Sequence, residues 1–486
     1  MKRSLLDISN LTIKHLSKLI ASREISCLEV LDATIERIEK LNPKLNAFIT
    51  ILDQSARREA KHADSLIKQG KYLGPLHGIP ISLKDLIYVK GVRSTSGSKI
   101  LADFVPDYDS TVTRKLRRAG AIIVGTNNTH EFACGITNIN PHYGSSKNPW
   151  DLARMSGGSS GGSAVAVSSG MSLASIGTDT SGSIRVPSSL CGIFGLKPTY
   201  GRVSKYGVMP LAPSIDHLGP LASSAWDIAA VLQVIAGYDK LDPSSVKVPV
   251  PDYLKDISSY RRRNTSNDRS KKFKIGIPKQ FFFNMIEPKV MEIFREFVDR
   301  LHGCGISATS NVDVDGTDKI FDTWRAIRLG ESAATHDEWM ASSSRQEYGE
   351  DVIRMLEKGQ EITAVQYINA LHKWRQEIKD AFLKAMSEYD ALLVPTTNIP
   401  APFLDQKEVN IEGKTIEVYL SLSKLTTVFD ITGLPALNIP AGFVDSKLPV
   451  GVQLVGRPFD ESRMLKIAYT YEQQYKLSEQ LLPPIH

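Results

Sequence analysis

Two serine-in-glycine blocks stand close together in this chain: residues 155–163 read M-S-G-G-S-S-G-G-S and residues 177–187 read G-T-D-T-S-G-S-I-R-V-P. A serine flanked by glycines is unshielded, and a glycine-rich turn can hold backbone N–H groups in the concave arrangement that binds an oxyanion. The chemistry this pattern points to is acyl transfer through a serine nucleophile. By composition alone such a tract reads as a flexible linker. Residues 164–177 and 187–195, however, are rich in Ala, Val, Ile and Leu, a density suited to an active-site loop on a buried scaffold.

The surrounding elements must hold those serines in place. Leu11, Ile13, Leu16, Leu19 and Ile20, then Leu28, Leu31, Ile35, Ile38 and Leu41, recur at helical spacing, with Ser26 placed to cap the second run. After Asn42-Pro43 the pattern shortens to β-branched runs at 79–83 (I-P-I-S-L) and 121–125 (A-I-I-V-G), with a helical segment ending on Gly120 between them. Further strand signals fall at 273–277, 391–395, 436–440 and 450–455, and helical runs at 290–301 and 364–386. Strands alternating with helices predict an α/β fold. No internal repeat is present.

The chain has 486 residues and a net charge of +6. That charge has a local origin, because residues 261–274 hold seven Lys or Arg and one Asp, leaving the remainder balanced. A broad basic face for nucleic acid is therefore not expected, and residues 241–274 read as a polar, basic surface excursion. Cys27, Cys134, Cys191 and Cys304 are too scattered for a metal pair or a disulfide framework, which suits free thiols in a reducing compartment. The first ten residues lack a continuous apolar run, and no stretch approaches the ~18 apolar residues of a spanning helix. A soluble, cytoplasmic protein with no membrane partner is expected.

The serine blocks, followed by C-G-I-F-G-L-K-P-T-Y-G-R-V-S at 191–204, resemble the amidase signature family. The match extends upstream to H-G-I-P-I-S-L-K-D-L at 77–86, G-V-R-S-T-S-G-S at 91–98, T-N-N-T-H-E-F-A-C-G at 126–135 and N-P-W-D at 148–151. Downstream it takes in S-I-D-H-L-G-P at 214–220, G-L-P-A-L-N-I-P at 433–440 and L-P-V-G-V-Q-L-V-G at 448–456, so nearly the whole chain is covered. The resemblance implies one compact α/β/α domain over 1–486 around a large twisted mixed sheet. It places a catalytic signature core at 60–220 and has residues 275–486 shape the substrate cleft.

Amide hydrolysis needs a nucleophile, a base, oxyanion donors and an acid for the departing amine. G-G-S-S-G at 157–161 satisfies the nucleophile-elbow pattern, but that motif requires a strand immediately before it, and residues 148–155 carry Pro, Asp and Arg in place of an apolar run. His130 lacks a second His four residues on and no Cys/His cluster is present, so neither metal nor cofactor is expected.

Carried over by position, the resemblance implies Ser183 as nucleophile, Ser159, 24 residues upstream, as a bridging serine after a cis Gly158–Ser159 peptide, and Lys84 as proton acceptor. A free lysine has a pKa of about 10.4, so Lys84 must be desolvated and held neutral, and the apolar run before it supplies burial. The resemblance places the oxyanion hole at the N–H groups of Thr180, Ser181, Gly182 and Ser183, where most members have Gly in place of Ser181. Asp179 and Arg185 flank the nucleophile and are expected to pair and order the loop, with substrate contact by Arg185 or Gly158 as the alternative. Cys134 is a candidate for lining the acyl pocket, with a buried structural thiol favoured. Lys197 and Asp216 read as scaffold.

Two substrate classes remain. An amidotransferase glutaminase subunit of this family has an acidic residue about ten positions before its G-L-P, where this chain has Ser423, and an F-D-G-x-R-Y-G segment, where this chain reads S-A-A-T-H-D-E-W-M at 332–340. These departures favour a free-standing amidase on a small-molecule amide, with no nucleic-acid partner and a homodimer left open. The alternative is the glutaminase component, or A subunit, of a tRNA-dependent amidotransferase.

Overall fold

The apolar runs become strands because residues buried on both faces of a covered sheet leave no place for polar alternation. In the computed structural model, which describes residues 11–264 and 273–485, the strands in chain order are β1 Phe48–Ile51, β2 Pro80–Lys84, β3 Ile122–Asn127, β4 Lys147–Asn148, β5 Asp151–Met155, β6 Ala174–Asp179, β7 Phe194–Lys197 and β8 His217–Ala222. There follow β9 Lys274–Pro278, β10 Ser307–Val312, β11 Ala391–Pro395, β12 Glu408–Ile411, β13 Lys414–Glu417, β14 Ala436–Val444 and β15 Leu448–Val455. Eleven of them form one mixed sheet in the order β1-β3-β2-β6-β8-β7-β14-β15-β11-β9-β10, while β4–β5 and β12–β13 are separate hairpins. This is the large mixed sheet that the resemblance implies. Every residue of β2, β3, β6, β7, β8, β11 and β15 is buried.

The early strands occupy one half of the sheet and the late strands the other, meeting where β7 pairs antiparallel with β14. Helices cover the sheet: Gly161–Ser168 packs on β6, Ala225–Ile235 on β8 and Pro288–Gly303 on β14. The second N-terminal helix, Cys27–Leu45, starts with Ser26 and Glu29 in a reciprocal capping box and ends on Asn46 at φ 52°. It runs through Pro43, past the stop that Asn42-Pro43 suggests, because a proline in the last turn removes only one backbone donor.

Of the basic stretch, residues 253–264 continue a helix and 265–272 lie outside the described residues. Among the described residues no helix is long and apolar enough to cross a membrane.

The serine block is anything but a linker. Its helix Gly161–Ser168 is buried at every position. A Cβ on Gly162 would lie 2.5 Å from the carbonyl oxygens of Ala47 and Asn128, so the close approach of this helix to β1 and the turn after β3 requires glycine there.

Candidate active site

Strand β2 delivers Lys84 at its end with no exposed surface. Its Nζ lies 2.6 Å from Ser159 Oγ and 2.8 Å from Thr178 Oγ1. Burial pushes this amine down to about 7, against the opposing pull of the Asp179 and Asp216 carboxylates and of Cys134. An amine so placed is about half neutral at pH 7, and the lone pair of the neutral form can take a hydroxyl proton.

Ser159 sits on the turn between β5 and the helix Gly161–Ser168, after a cis Gly158–Ser159 peptide. A Cβ on Gly158 would lie 2.7 Å from Asn138 N, so no side chain fits there. The Ser159 carbonyl accepts from Thr129 Oγ1 at 2.9 Å and His130 N–H at 3.2 Å, which fixes the turn. Ser160 N–H donates to Ser183 O at 3.2 Å, bringing the two serine blocks onto adjoining turns. Among the described residues no hydrogen bond joins Ser159 Oγ to Ser183 Oγ.

The segment before the block is a strand after all, β5, contrary to the sequence reading. It belongs to the small hairpin and not to the large sheet, so its half-exposed Asp-Leu-Ala-Arg-Met alternation hides it. The elbow reading gains nothing from it, since the partner at Ser159 Oγ is a lysine amine and not an imidazole.

Asp179, at the end of β6, closes the nucleophile loop on itself. One carboxylate oxygen accepts from Gly182 N–H at 2.6 Å and Arg185 Nη2 at 3.1 Å, the other from Ile184 N–H at 3.1 Å and Arg185 Nε at 3.0 Å. Burial opposes its charge, yet the Arg185 guanidinium holds this carboxyl well below the usual range. Arg185 also donates to Thr426 O at 3.0 Å, Gln453 Oε1 at 2.9 Å and Asp430 at 2.7 Å. With its donors so engaged and its side chain fully buried, Arg185 braces the loop. Asp430, buried and repelled by Asp179, is pushed well above the carboxylate range.

Of the four expected oxyanion donors, Gly182 N–H donates to Asp179, while the amides of Thr180, Ser181 and Ser183 have no other acceptor among the described residues. Gly182 is glycine for a different reason, φ 115° and a Cβ position that would overlap Thr426 Oγ1. Ser183 is buried but retains a little exposed surface, at 4 %.

The Ser181 hydroxyl accepts from Trp324 Nε1 at 2.7 Å, and its carbonyl accepts from Thr426 Oγ1 at 2.6 Å. Trp324 and Arg328 lie one turn apart on the helix Ile320–Thr335, and Arg328 Nη2 donates to Cys134 O at 2.6 Å. Cys134 is buried, and its thiol is pushed far up by burial, as a structural thiol would be. A cleft of about 340 Å³ opens beside these residues, lined by Ala133, Thr178, Thr180, Tyr200, Met209 and Asp216 among others. Asp216 is more than scaffold there: it accepts from Thr180 Oγ1 at 2.6 Å and its field reaches Lys84. Ser423 is buried with its hydroxyl turned back to Tyr419 O at 2.9 Å, and His336 and Trp339 pack around Phe132.

Sequence reasoning missed Thr178, Trp324, Arg328 and Thr426. Thr178 lies inside the second serine block and could have been found there. The other three sit in no motif. Among the described residues no group of His, Cys, Asp and Glu is placed to hold a metal ion.

A family model for amidases, Amidase, matches residues 29–465. This chain belongs to the amidase signature family. Among its relatives, the A subunit of glutamyl-tRNA(Gln) amidotransferase from Geobacter sp. (strain M21) is 38% identical over 491 residues, covering 96% of this chain and 98% of that protein. The solved structure of the corresponding A subunit from Thermotoga maritima superposes with a TM-score of 0.78 at 32% identity, covering 96% of this chain and 95% of that one. A solved amidase structure gives a TM-score of 0.84 at 30% identity, covering 96% and 100% of the two chains.

These findings correct the expectation about partners. A small-molecule substrate with no nucleic acid does not fit a chain whose amidase signature relatives, at 35–38% identity over nearly their full length, are named as subunits of a glutamyl-tRNA(Gln) amidotransferase. The departures at Ser423 and at residues 332–340 are local and weigh less than a likeness that runs along the whole chain.

Proposed function

We propose that this amidase signature protein hydrolyses the side-chain amide of glutamine as the A subunit of a tRNA-dependent amidotransferase. The observation that carries this reading is the full-length likeness to the A subunit of glutamyl-tRNA(Gln) amidotransferase, 96% of this chain against 98% of that protein. The site chemistry is consistent with it. The neutral Lys84 amine takes the proton of Ser159, which takes that of Ser183, so that Ser183 Oγ attacks the amide carbon. The Ser159–Ser183 hydrogen bond forms when substrate seats, as catalytic bonds that are open in the free enzyme commonly do. Charge on the carbonyl oxygen is received by the amides of Thr180, Ser181 and Ser183, which the Asp179–Arg185 brace holds in position before the reaction starts. Return of the proton through Ser159 releases ammonia and leaves an acyl-Ser183, which water then cleaves by the same relay.

The test is ammonia release from glutamine by the purified chain, alone and with its co-expressed partner subunits, followed by formation of glutaminyl-tRNA from glutamyl-tRNA(Gln). The reading expects amidated tRNA in the complete mixture. An enzyme that ignores glutamine in every combination refutes it.

A further inference from the structure

Arg328 is out of place as a structural residue. It is 2 % exposed, yet among the described residues no carboxylate pairs with it, and its buried Nε has no hydrogen-bond partner. Its guanidinium donates instead to the neutral Cys134 carbonyl. Trp324 and Tyr419 present their rings to the guanidinium, with centroids 5.5 and 5.8 Å from its central carbon. Arg185, buried to the same degree, shows how this protein otherwise treats such a group, with two carboxylates and an amide oxygen. A buried ion left without a counter-charge is costly, and the aromatic faces return only part of that cost.

The position of Arg328 gives the missing counter-charge a source. Ala133, which lines the cleft, precedes the Cys134 whose carbonyl holds Arg328, and Trp324, one turn away on the same helix, holds the Ser181 hydroxyl of the nucleophile loop. The helix that carries Arg328 therefore ties residue 134, next to the cleft-lining Ala133, to the loop that carries Ser183. The Arg328 Nε–H and an adjacent Nη–H form the edge that matches the two oxygens of a carboxylate. Ser423 stands where the resemblance puts an acidic anchor for an ammonium group in the glutaminase subunits, and its hydroxyl is occupied with Tyr419 O.

We propose that Arg328 anchors a carboxylate on the acyl half of the amide substrate, and that this site reads the carboxylate without reading an α-amino group. The proposal rests on the amide-hydrolase reading above and deepens it: glutamine is accepted through its α-carboxylate, and glutaramate, which is glutamine without the amino group, is accepted nearly as well.

The test measures ammonia release from glutamine, glutaramate and butyramide by the full chain and by Arg328→Gln and Arg328→Lys. In the wild type, kcat/KM for glutaramate should fall within about tenfold of that for glutamine. Arg328→Gln should lower the ratio of kcat/KM for glutaramate over butyramide by about 100-fold, mainly through KM, since truncating one partner of a buried charge pair is read largely as lost binding. Arg328→Lys should recover part of that loss.

Protection of Ser183 against a fluorophosphonate by glutarate gives the same comparison without turnover, at about 100-fold higher glutarate in Arg328→Gln, and it decides the matter if none of the three amides is hydrolysed. A ratio and a protection constant that both ignore the substitution overturn the proposal, as does glutaramate falling far behind glutamine. If Arg328→Gln does not fold, Arg328→Met is put through the same two measurements and judged by the same criteria. Refusal of glutamine with Arg328-dependent use of glutaramate would sink the amidotransferase reading and the indifference to an α-amino group, and leave the Arg328 carboxylate anchor standing. Amidated tRNA with an Arg328-independent ratio would do the reverse.

Discussion

Lys84 offers the sharpest test of the proposed chemistry, because a base that works only when neutral must leave its titration in the rate. Its amine is pushed down to about 7 by burial, against the Asp179 and Asp216 carboxylates that favour the charged form. An amine at 7 is about 10% neutral at pH 6 and about 90% neutral at pH 8, whereas one left near 10.4 would be only about 0.4% neutral at pH 8. Burial thus supplies about two orders of magnitude more base at working pH. We expect kcat/KM for ammonia release to rise about tenfold from pH 6 to pH 8 and then to level off. Asp216→Asn removes a nearby negative charge that favours the ammonium, so it should move the midpoint to lower pH. Lys84→Ala should lose about 10²–10⁴-fold in kcat at every pH. A rate that keeps climbing tenfold per unit beyond pH 9, or a midpoint that Asp216→Asn moves upward, would refute the reasoning.

Two further outcomes follow from named contacts. Ser183→Ala should abolish amide hydrolysis and fluorophosphonate labelling while leaving the melting temperature nearly unchanged, and labelling that persists at Ser159 would reassign the nucleophile. Asp227 accepts from Ile13 and Lys14 N–H at 3.1 Å each, docking the helix Ile13–Ala21, and burial pushes its carboxyl up to about 7. Because the folded form holds its proton through pH values at which the unfolded form has lost it, the contribution is complete below about pH 4 and is lost as pH rises toward 7. Urea midpoints at pH 5 and pH 7 should show the wild type losing up to about 1.4 kcal/mol per pH unit relative to Asp227→Asn, and parallel curves would count against it.

The two N-terminal helices and the runs at 79–83, 121–125, 391–395 and 450–455 were legible because their apolar residues recur at helical spacing or come in unbroken β-branched stretches. Strands β6, β7 and β8 were not, since A-S-I-G-T-D, F-G-L-K and H-L-G-P-L-A mix Gly, Ser and Pro with apolar residues and carry no period. Gly219 shows why that composition suits the centre of the sheet: a Cβ there would overlap the Leu196 carbonyl on the neighbouring strand. Within the site, the serine blocks announced acyl chemistry by themselves, while Lys84 could be singled out among 59 basic residues only through the family resemblance. Trp324 and Arg328 were invisible, because an i, i+4 pair on a distant helix gains its meaning only once folding brings it against residues 134 and 181.

The Arg185 brace has a consequence for the order in which the enzyme comes into being. Its partners Thr426, Asp430 and Gln453 lie 241 to 268 residues downstream, the first two at the short helix Thr427–Ile431 and the third on β15, in the late half of the sheet. On the proposed chemistry, a nascent chain that has released both serine blocks and Lys84 from the ribosome carries its reacting groups, yet of the partners of Arg185 only Asp179 has then been made. Thr426, which ties down the Ser181 carbonyl, is also still unsynthesised. The loop that must present the nucleophile becomes rigid only after nearly nine-tenths of the chain has been made, and contacts of such sequence separation are slow to close. On the proposed chemistry, hydrolytic competence is therefore acquired late in synthesis, and a chain truncated before residue 426 would carry its serine blocks without the contacts that brace them.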